Sequence, residues 1–235
     1  MGDPAQRIAA NLAEIRQRMA DAAARGGRPE RHVRLVAVTK SVGPAEVRAL
    51  VQAGCHELGE SRPQQLWQKA EALAELDVRW HMIGHLQRNK VRRTLEVAAM
   101  VQSVDSVRLL EALDRVAGEL SRRVPVLLEV NVSGDPAKHG FEPGALEGVL
   151  ASLAEFGRVE VRGLMCMAGL EGDLDAARRD FAALRQLQER LRPQCPERIA
   201  LDELSMGMSG DFEVAIEEGA TMVRIGSALF AGVGP

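Results

Sequence analysis

The 30 lysines and arginines of this chain include only four lysines, Lys40, Lys69, Lys90 and Lys138; the other 26 residues are arginine. Arginine therefore supplies the surface charge, and each lysine invites a chemical reading. An amine, unlike a guanidinium, can lose its proton and act as a nucleophile. Lys40 closes the apolar run Leu35-Val36-Ala37-Val38-Thr39, which reads as a buried strand. A lysine at such a strand end, partly desolvated, has a lowered pKa and a neutral amine ready to attack an aldehyde. The alternative is a lysine snorkelling from the strand end into water.

The last fifth of the chain twice breaks an apolar run into a small glycine- and serine-containing turn, at Leu204-Ser205-Met206-Gly207-Met208-Ser209 and at Val223-Arg224-Ile225-Gly226-Ser227. Glycine beside serine at a strand end lets backbone N–H groups face a ligand, and the hydroxyls add donors. That arrangement suits phosphate. Either turn alone is equally an ordinary tight turn; the two together favour phosphate. Arg224 lies inside the apolar run two residues before the second turn. A buried arginine needs a partner, so one reading is an ion pair with Glu57 or Glu129. A second reading sets its guanidinium against a ring nitrogen, where a permanent cation disfavours protonation. An amine nucleophile opposite a phosphate cradle describes a site for a phosphorylated aldehyde, of which pyridoxal 5′-phosphate (PLP) is the commonest cofactor.

The elements that must position these residues alternate. A leading amphipathic helix is expected over 3–24, with Ile8, Leu12, Ile15 and Met19 at helical spacing. Strands are expected over 33–39, 55–58, 78–83, 100–103, 124–132, 159–165, 203–205 and 221–225. Helical stretches are expected between them, over 44–53, 63–76, 87–98, 106–122, 144–156, 174–191 and 211–218, with a final fragment over 228–231. Strands separated by helices imply right-handed crossovers and a parallel sheet. Eight of them predict a single (β/α)8 barrel over residues 1–235, with its chemistry at the C-terminal strand ends and its phosphate site after strands seven and eight. An open doubly wound sheet is disfavoured, because no G-x-G-x-x-G follows the first strand.

A net charge of −3 argues against a nucleic-acid surface. No apolar run approaches the roughly 18 residues of a membrane span, and the start of the chain opens a helix instead of a signal peptide. Cys55, Cys166 and Cys195 form no C-x-x-C pair and read as reduced thiols, so a cytoplasmic location is expected. No metal is expected: His81 and His85 are four apart, but Gly84 between them marks a strand-to-helix junction. Lys138-His139-Gly140 reads as a solvated loop, with Lys138 as a candidate second amine.

With these residues in view the chain resembles the pyridoxal phosphate homeostasis proteins. The matching pieces are Val36-Ala37-Val38-Thr39-Lys40, Leu58-Gly59-Glu60, the stretch from Trp80 to Lys90, Val161-Arg162-Gly163-Leu164-Met165 and the two C-terminal turns. The resemblance implies a barrel like the N-terminal domain of alanine racemase, with Lys40 as the aldimine lysine. It further implies that Arg224 faces the ring nitrogen, that Ser205, Gly207, Gly226 and Ser227 hold the phosphate, and that Ser61 stands where the family usually has asparagine. It implies a cofactor carrier more than a catalyst, with no catalytic residue assigned and apo forms of PLP enzymes as transient partners; a monomer is expected. The composition agrees: alanine racemase needs a second acid/base tyrosine from a second domain, which is not expected here, and this chain has no tyrosine. A PLP-dependent racemase or lyase is the alternative.

Overall fold

Short apolar runs alternating with amphipathic stretches fold into strands and helices in strict succession. The elements are α1 (Pro4–Arg25), β1 (Arg34–Val38), α2 (Pro44–Gln52), β2 (Glu57–Glu60), α3 (Pro63–Ala72), β3 (Arg79–Met82), α4 (Val91–Val97) and β4 (Ala98–Val104). They continue with α5 (Val107–Glu119), β5 (Val124–Glu129), α6 (Leu146–Ser152), β6 (Val159–Met165), α7 (Leu174–Leu191), β7 (Glu203–Ser205), α8 (Phe212–Glu217) and β8 (Met222–Ile225). The computed structural model describes residues 3–29, 33–169, 173–196 and 199–233; Met1 and Gly2, read above as leading into the first helix, lie outside them. Each strand pairs in parallel with the next, and β8 pairs with β1, which closes the eight-stranded barrel.

Side chains alternate across a strand, and this divides the apolar residues into two cores. Val36, Met100, Leu127, Met165 and Met222 pack together inside the barrel. Their neighbours Ala37, Val101, Leu128, Leu164 and Val223 pack with the helices outside it. Helix α1 is capped by Asp3, whose carboxylate accepts the Ala5 N–H at 3.0 Å. Its stripe Ile8, Leu12, Ile15 and Met19 is buried against α2 and α8. Each of those side chains contributes roughly 1.5–3 kcal/mol by leaving water.

Several expected boundaries shift, among them the ends of the helices expected over 63–76, 106–122 and 144–156. β2 begins at Glu57 and not Cys55, because its two glutamates are spent on buried bonds, so the strand does not read as apolar. β4 takes Ala98 from the expected preceding helix and also includes Ala99 and Val104, and Arg88–Lys90 forms a 3-10 turn before α4. β5 stops at Glu129, beyond which Val130 keeps one bridge to Phe141. The 228–231 fragment is turn, with the Leu229 N–H bonded to the Gly226 carbonyl at 3.0 Å. Among the described residues no helix is long and apolar enough to cross a membrane.

Candidate functional site

The C-terminal ends of β1, β2, β3, β6, β7 and β8 surround a cavity of about 780 Å³. Lys40 enters from the turn after β1, Ser61 and Arg62 from that after β2, and Gly84 and His85 from that after β3. Met167 follows β6, Ser209 and Gly210 follow β7, and Arg224, Gly226 and Ser227 belong to β8 and its turn. Lys40 is the only lysine of the lining. It is exposed, and its amine has no hydrogen bond or ion pair among the described residues. The expected partial desolvation of Lys40 is therefore corrected: the loops at the mouth leave the amine open to water.

The turn beneath Lys40 is fixed from the helix side. Lys69, buried on α3, donates to the Thr39 carbonyl at 2.5 Å and pairs with the Glu60 carboxylate at 2.5 Å. The Thr39 hydroxyl donates to the same carboxylate oxygen at 2.7 Å. A second lysine is thus consumed in holding the first in place. Removing one member of such a buried pair leaves an uncompensated charge, at a cost of about 3–5 kcal/mol.

Opposite Lys40 lie the two glycine- and serine-containing turns. Gly207 has φ +92, and a Cβ there would come within 2.5 Å of the Ala215 Cβ, so only glycine lets the chain turn this tightly over α8. The Ser209 hydroxyl accepts the N–H groups of Gly226 at 3.2 Å and Ala228 at 3.4 Å and ties the turns together. The backbone N–H groups of Ser209, Gly210 and Ser227 have no protein acceptor among the described residues. With the two serine hydroxyls they form a set of donors without acceptors, the chemistry a phosphate requires.

Arg224 lines the inner side of the cavity and is 4% exposed. Its Nη1 donates to the Ser205 hydroxyl at 2.7 Å and its Nη2 to the Cys166 carbonyl at 2.8 Å. Burial lowers its pKa, against the pull of nearby acidic groups including Glu129 and Asp211. Neither Glu57 nor Glu129 bonds to it. Glu57 pairs with His81 and, at 3.3 Å, with Arg79. Burial and the charge of Asp105 push the Glu129 carboxyl up to about 7, against the pull of Arg224 and His85. A free amine, a buried guanidinium and turns rich in unpaired donors fit a phosphorylated pyridine aldehyde.

The family model described as "Alanine racemase, N-terminal domain" matches residues 5–233. A pyridoxal phosphate homeostasis protein of Aquifex aeolicus is 39% identical over 219 residues, covering 93% of this chain and 95% of that protein. One of Pseudomonas aeruginosa is 38% identical over 223 residues, covering 95% and 94%. This chain belongs to the pyridoxal phosphate homeostasis protein family. The solved structure of PipY from Synechococcus elongatus without PLP superposes with a TM-score of 0.87 at 38% identity, covering 95% of this chain and 99% of that one. The same protein with PLP bound gives 0.85. An alanine racemase of Clostridium difficile shares the fold, with a TM-score of 0.74 at 13% identity over 95% of this chain and 56% of its own.

Of the residues singled out from the sequence, Lys40, Ser61, Arg224, Gly226 and Ser227 line the cavity, whereas Ser205 and Gly207 do not. Ser205 points into the barrel, where its hydroxyl is engaged by Arg224 and Gln102. Gly207 is buried under α8, and its carbonyl accepts the Arg224 N–H at 2.9 Å. Ser209 and Gly210 take their place; strand alternation was the available signal, since Ser205 shares the inward parity of Glu203. Ser61 makes no side-chain hydrogen bond among the described residues. Its backbone is pressed against Gly84, where a Cβ would meet the Ser61 carbonyl at 2.3 Å. His81 and His85 have separate partners: His81 is inside the barrel, while His85 stacks on His139 at 4.3 Å and bonds Asp105 at 2.8 Å. The loop around Lys138 is largely exposed, as expected, but the Lys138 amine, on a half-buried residue, is not free. It donates to the carbonyls of Met167 at 3.2 Å and Ala168 at 2.7 Å and so clamps the loop after β5 to that after β6.

Proposed function

We propose that this chain binds PLP in the barrel-mouth cavity and serves PLP homeostasis by holding the cofactor and releasing it to apo-enzymes. The observation that carries the reading is the Lys40 amine, unpaired among the described residues, facing turns in which the N–H groups of Ser209, Gly210 and Ser227 have no acceptor among them, with Arg224 between. The PipY structure with PLP bound supports it. When bound, PLP would supply an aldehyde open to a primary amine and an electron-withdrawing ring. Lys40 holds the cofactor covalently through that aldehyde. Ser209, Gly210, Gly226 and Ser227 hold the phosphate, and charge-assisted bonds of about 1.5–3 kcal/mol each make it the main source of affinity. Arg224 donates to the pyridine nitrogen and, as a permanent cation, keeps that nitrogen unprotonated.

A carrier needs no second acid/base group, and the chain has no tyrosine to serve as one. Glu129, the carboxyl with a pKa of about 7, is not part of the cavity lining. The whole site is carried by one barrel unit over residues 1–235, acting as a monomer in the cytoplasm. Borohydride reduction of the PLP-loaded protein, followed by peptide mapping, should place a phosphopyridoxyl group on Lys40. Finding it only on Lys69, Lys90 or Lys138 would sink the assignment. Loaded protein should reactivate an apo-enzyme in a mixing assay and show negligible turnover of common amino acids. Turnover near the enzyme median of about 10 s⁻¹ would instead establish a racemase or lyase.

A further inference from the structure

A continuous line of side chains crosses the barrel from the inner side of the cavity to the opposite end. We propose that Gln102, His81 and Glu57 are positioning residues for Arg224, acting through Ser205, so that a carboxylate at the start of β2 sets the guanidinium on β8. Arg224 Nη1 donates to Ser205 Oγ at 2.7 Å, and Ser205 Oγ donates to Gln102 Oε1 at 2.6 Å. Gln102 Nε2 donates to His81 Nδ1 at 2.8 Å, and His81 Nε2 donates to the Glu57 carboxylate. Arg224, Ser205, Gln102 and His81 are 4, 0, 0 and 1% exposed, so water does not compete for these bonds.

The donor sense is the same at every link, and the chemistry of the groups leaves it no freedom. A guanidinium only donates, so the Ser205 oxygen accepts from Arg224 and sends its single proton to the Gln102 carbonyl. The Gln102 amide then faces His81, whose Nδ1 must be the bare nitrogen, and the ring proton sits on Nε2 toward Glu57. The second amide proton of Gln102 reaches the Met222 sulfur at 3.7 Å. Turning Gln102 around would place two donors on the Ser205 oxygen and leave the hydroxyl proton without this acceptor. The far end is anchored as well. Burial pushes the Glu57 carboxyl up, but the His81 bond and the charges of Arg79 and Arg34 outweigh it and hold the pKa below its ordinary value. Glu57 opens into a separate cavity of about 450 Å³ lined by Arg16, Arg34 and Cys55, at the strand N-termini. The chain thus joins a buried cation to an ionised carboxylate through groups that are all satisfied, the condition under which a buried polar network rigidifies.

The orientation of Arg224 stands apart from the ligand; its consequence for binding rests on the proposed PLP site. The test is therefore made first on ¹⁵N-labelled protein without added cofactor. Wild type should show His81 with its proton on Nε2 and separate, slowly exchanging Nη signals for Arg224. Gln102→Leu should collapse the Arg224 signals while the backbone amide spectrum of the outer helices is kept. Glu57→Leu, which removes the acceptor at the far end, should loosen them too, and Glu57→Gln, which retains an acceptor, should restore them. PLP affinity should fall about tenfold in Gln102→Leu, the effect of one lost buried hydrogen bond. A His81 proton on Nδ1, or Arg224 signals unchanged in both leucine variants, overturns the chain. Expected Arg224 signals in a wild type that does not bind PLP would overturn the cofactor reading and leave the chain standing.

Discussion

Glu129 should make the protein less stable as pH rises from 5 to 8, and Glu129→Gln should remove that slope. The carboxyl is 4% exposed at the end of β5. Burial and the neighbouring charge of Asp105 push it from the ordinary 4.5 up to about 7. Between those values the folded protein keeps a proton that the unfolded chain has released. By linkage, stability then falls as pH climbs through the window, and the loss is complete once the folded group has ionised. A shift of this size corresponds to about 2.5 kcal/mol of stability lost between pH 5 and pH 8. For a chain of this length that is a change of about 5–10 °C in melting temperature.

The measurement is a set of urea or thermal unfolding curves for wild type and Glu129→Gln at several pH values across that range. A glutamine copies the shape and polarity of the protonated carboxyl but cannot ionise. Any constant cost of the substitution cancels, and only the pH dependence of the difference is read. The variant should be close to wild type at pH 5 and gain on it steadily up to pH 8. Parallel curves would refute the reasoning. A difference of opposite slope would mean that Glu129 is ionised in the folded protein, held so by the charges of Arg224 and His85.

Burial raises the thiol pKa of Cys55 to about 11 and of Cys166 to about 12, so a thiol reagent should label only Cys195 in the native protein and all three cysteines after unfolding; rapid labelling of a second native thiol would refute this. Gly207→Ala combines a left-handed backbone with the close approach to Ala215 and should cost about 2 kcal/mol or more, which an unchanged melting temperature would contradict. Ser227→Ala should weaken PLP and leave pyridoxal almost untouched, whereas Ser205→Ala, which acts through Arg224, should weaken both alike; comparison of the four dissociation constants decides it. Lys69→Met should destabilise by about 3–5 kcal/mol through the stranded Glu60 carboxylate, and adding Glu60→Gln should recover much of that loss in a double-mutant cycle.

The order of the barrel could be read from the chain because most of its strands are built on apolar residues and separated by amphipathic helices. The strand β2 shows what periodicity misses. Only Glu57-Leu58 falls within the expected strand 55–58; pairing carries Glu57 into the barrel to His81 and sends Glu60 to the helix side, to Lys69 and Thr39. Lys40 was found by its type and its place after Thr39, but its exposure depends on how loops from other strands close over the mouth, which no local pattern encodes. The two glycine- and serine-containing turns could be read as a pair, but not which of their residues line the cavity. Ser205 and Ser209 flank Gly207 in sequence, and only strand parity and the positive φ of Gly207 send the first into the barrel and the second into the cavity. Parity has a wider use here. Gln102 shares the inward face with Met100, Ser205 with Glu203, and Arg224 with Met222. In a barrel this small, a polar residue at an inward position is desolvated and must find a partner. Several such positions on different strands therefore imply one another, and the glutamine and histidine with no role of their own in the sequence acquire one as the support of the arginine that has it.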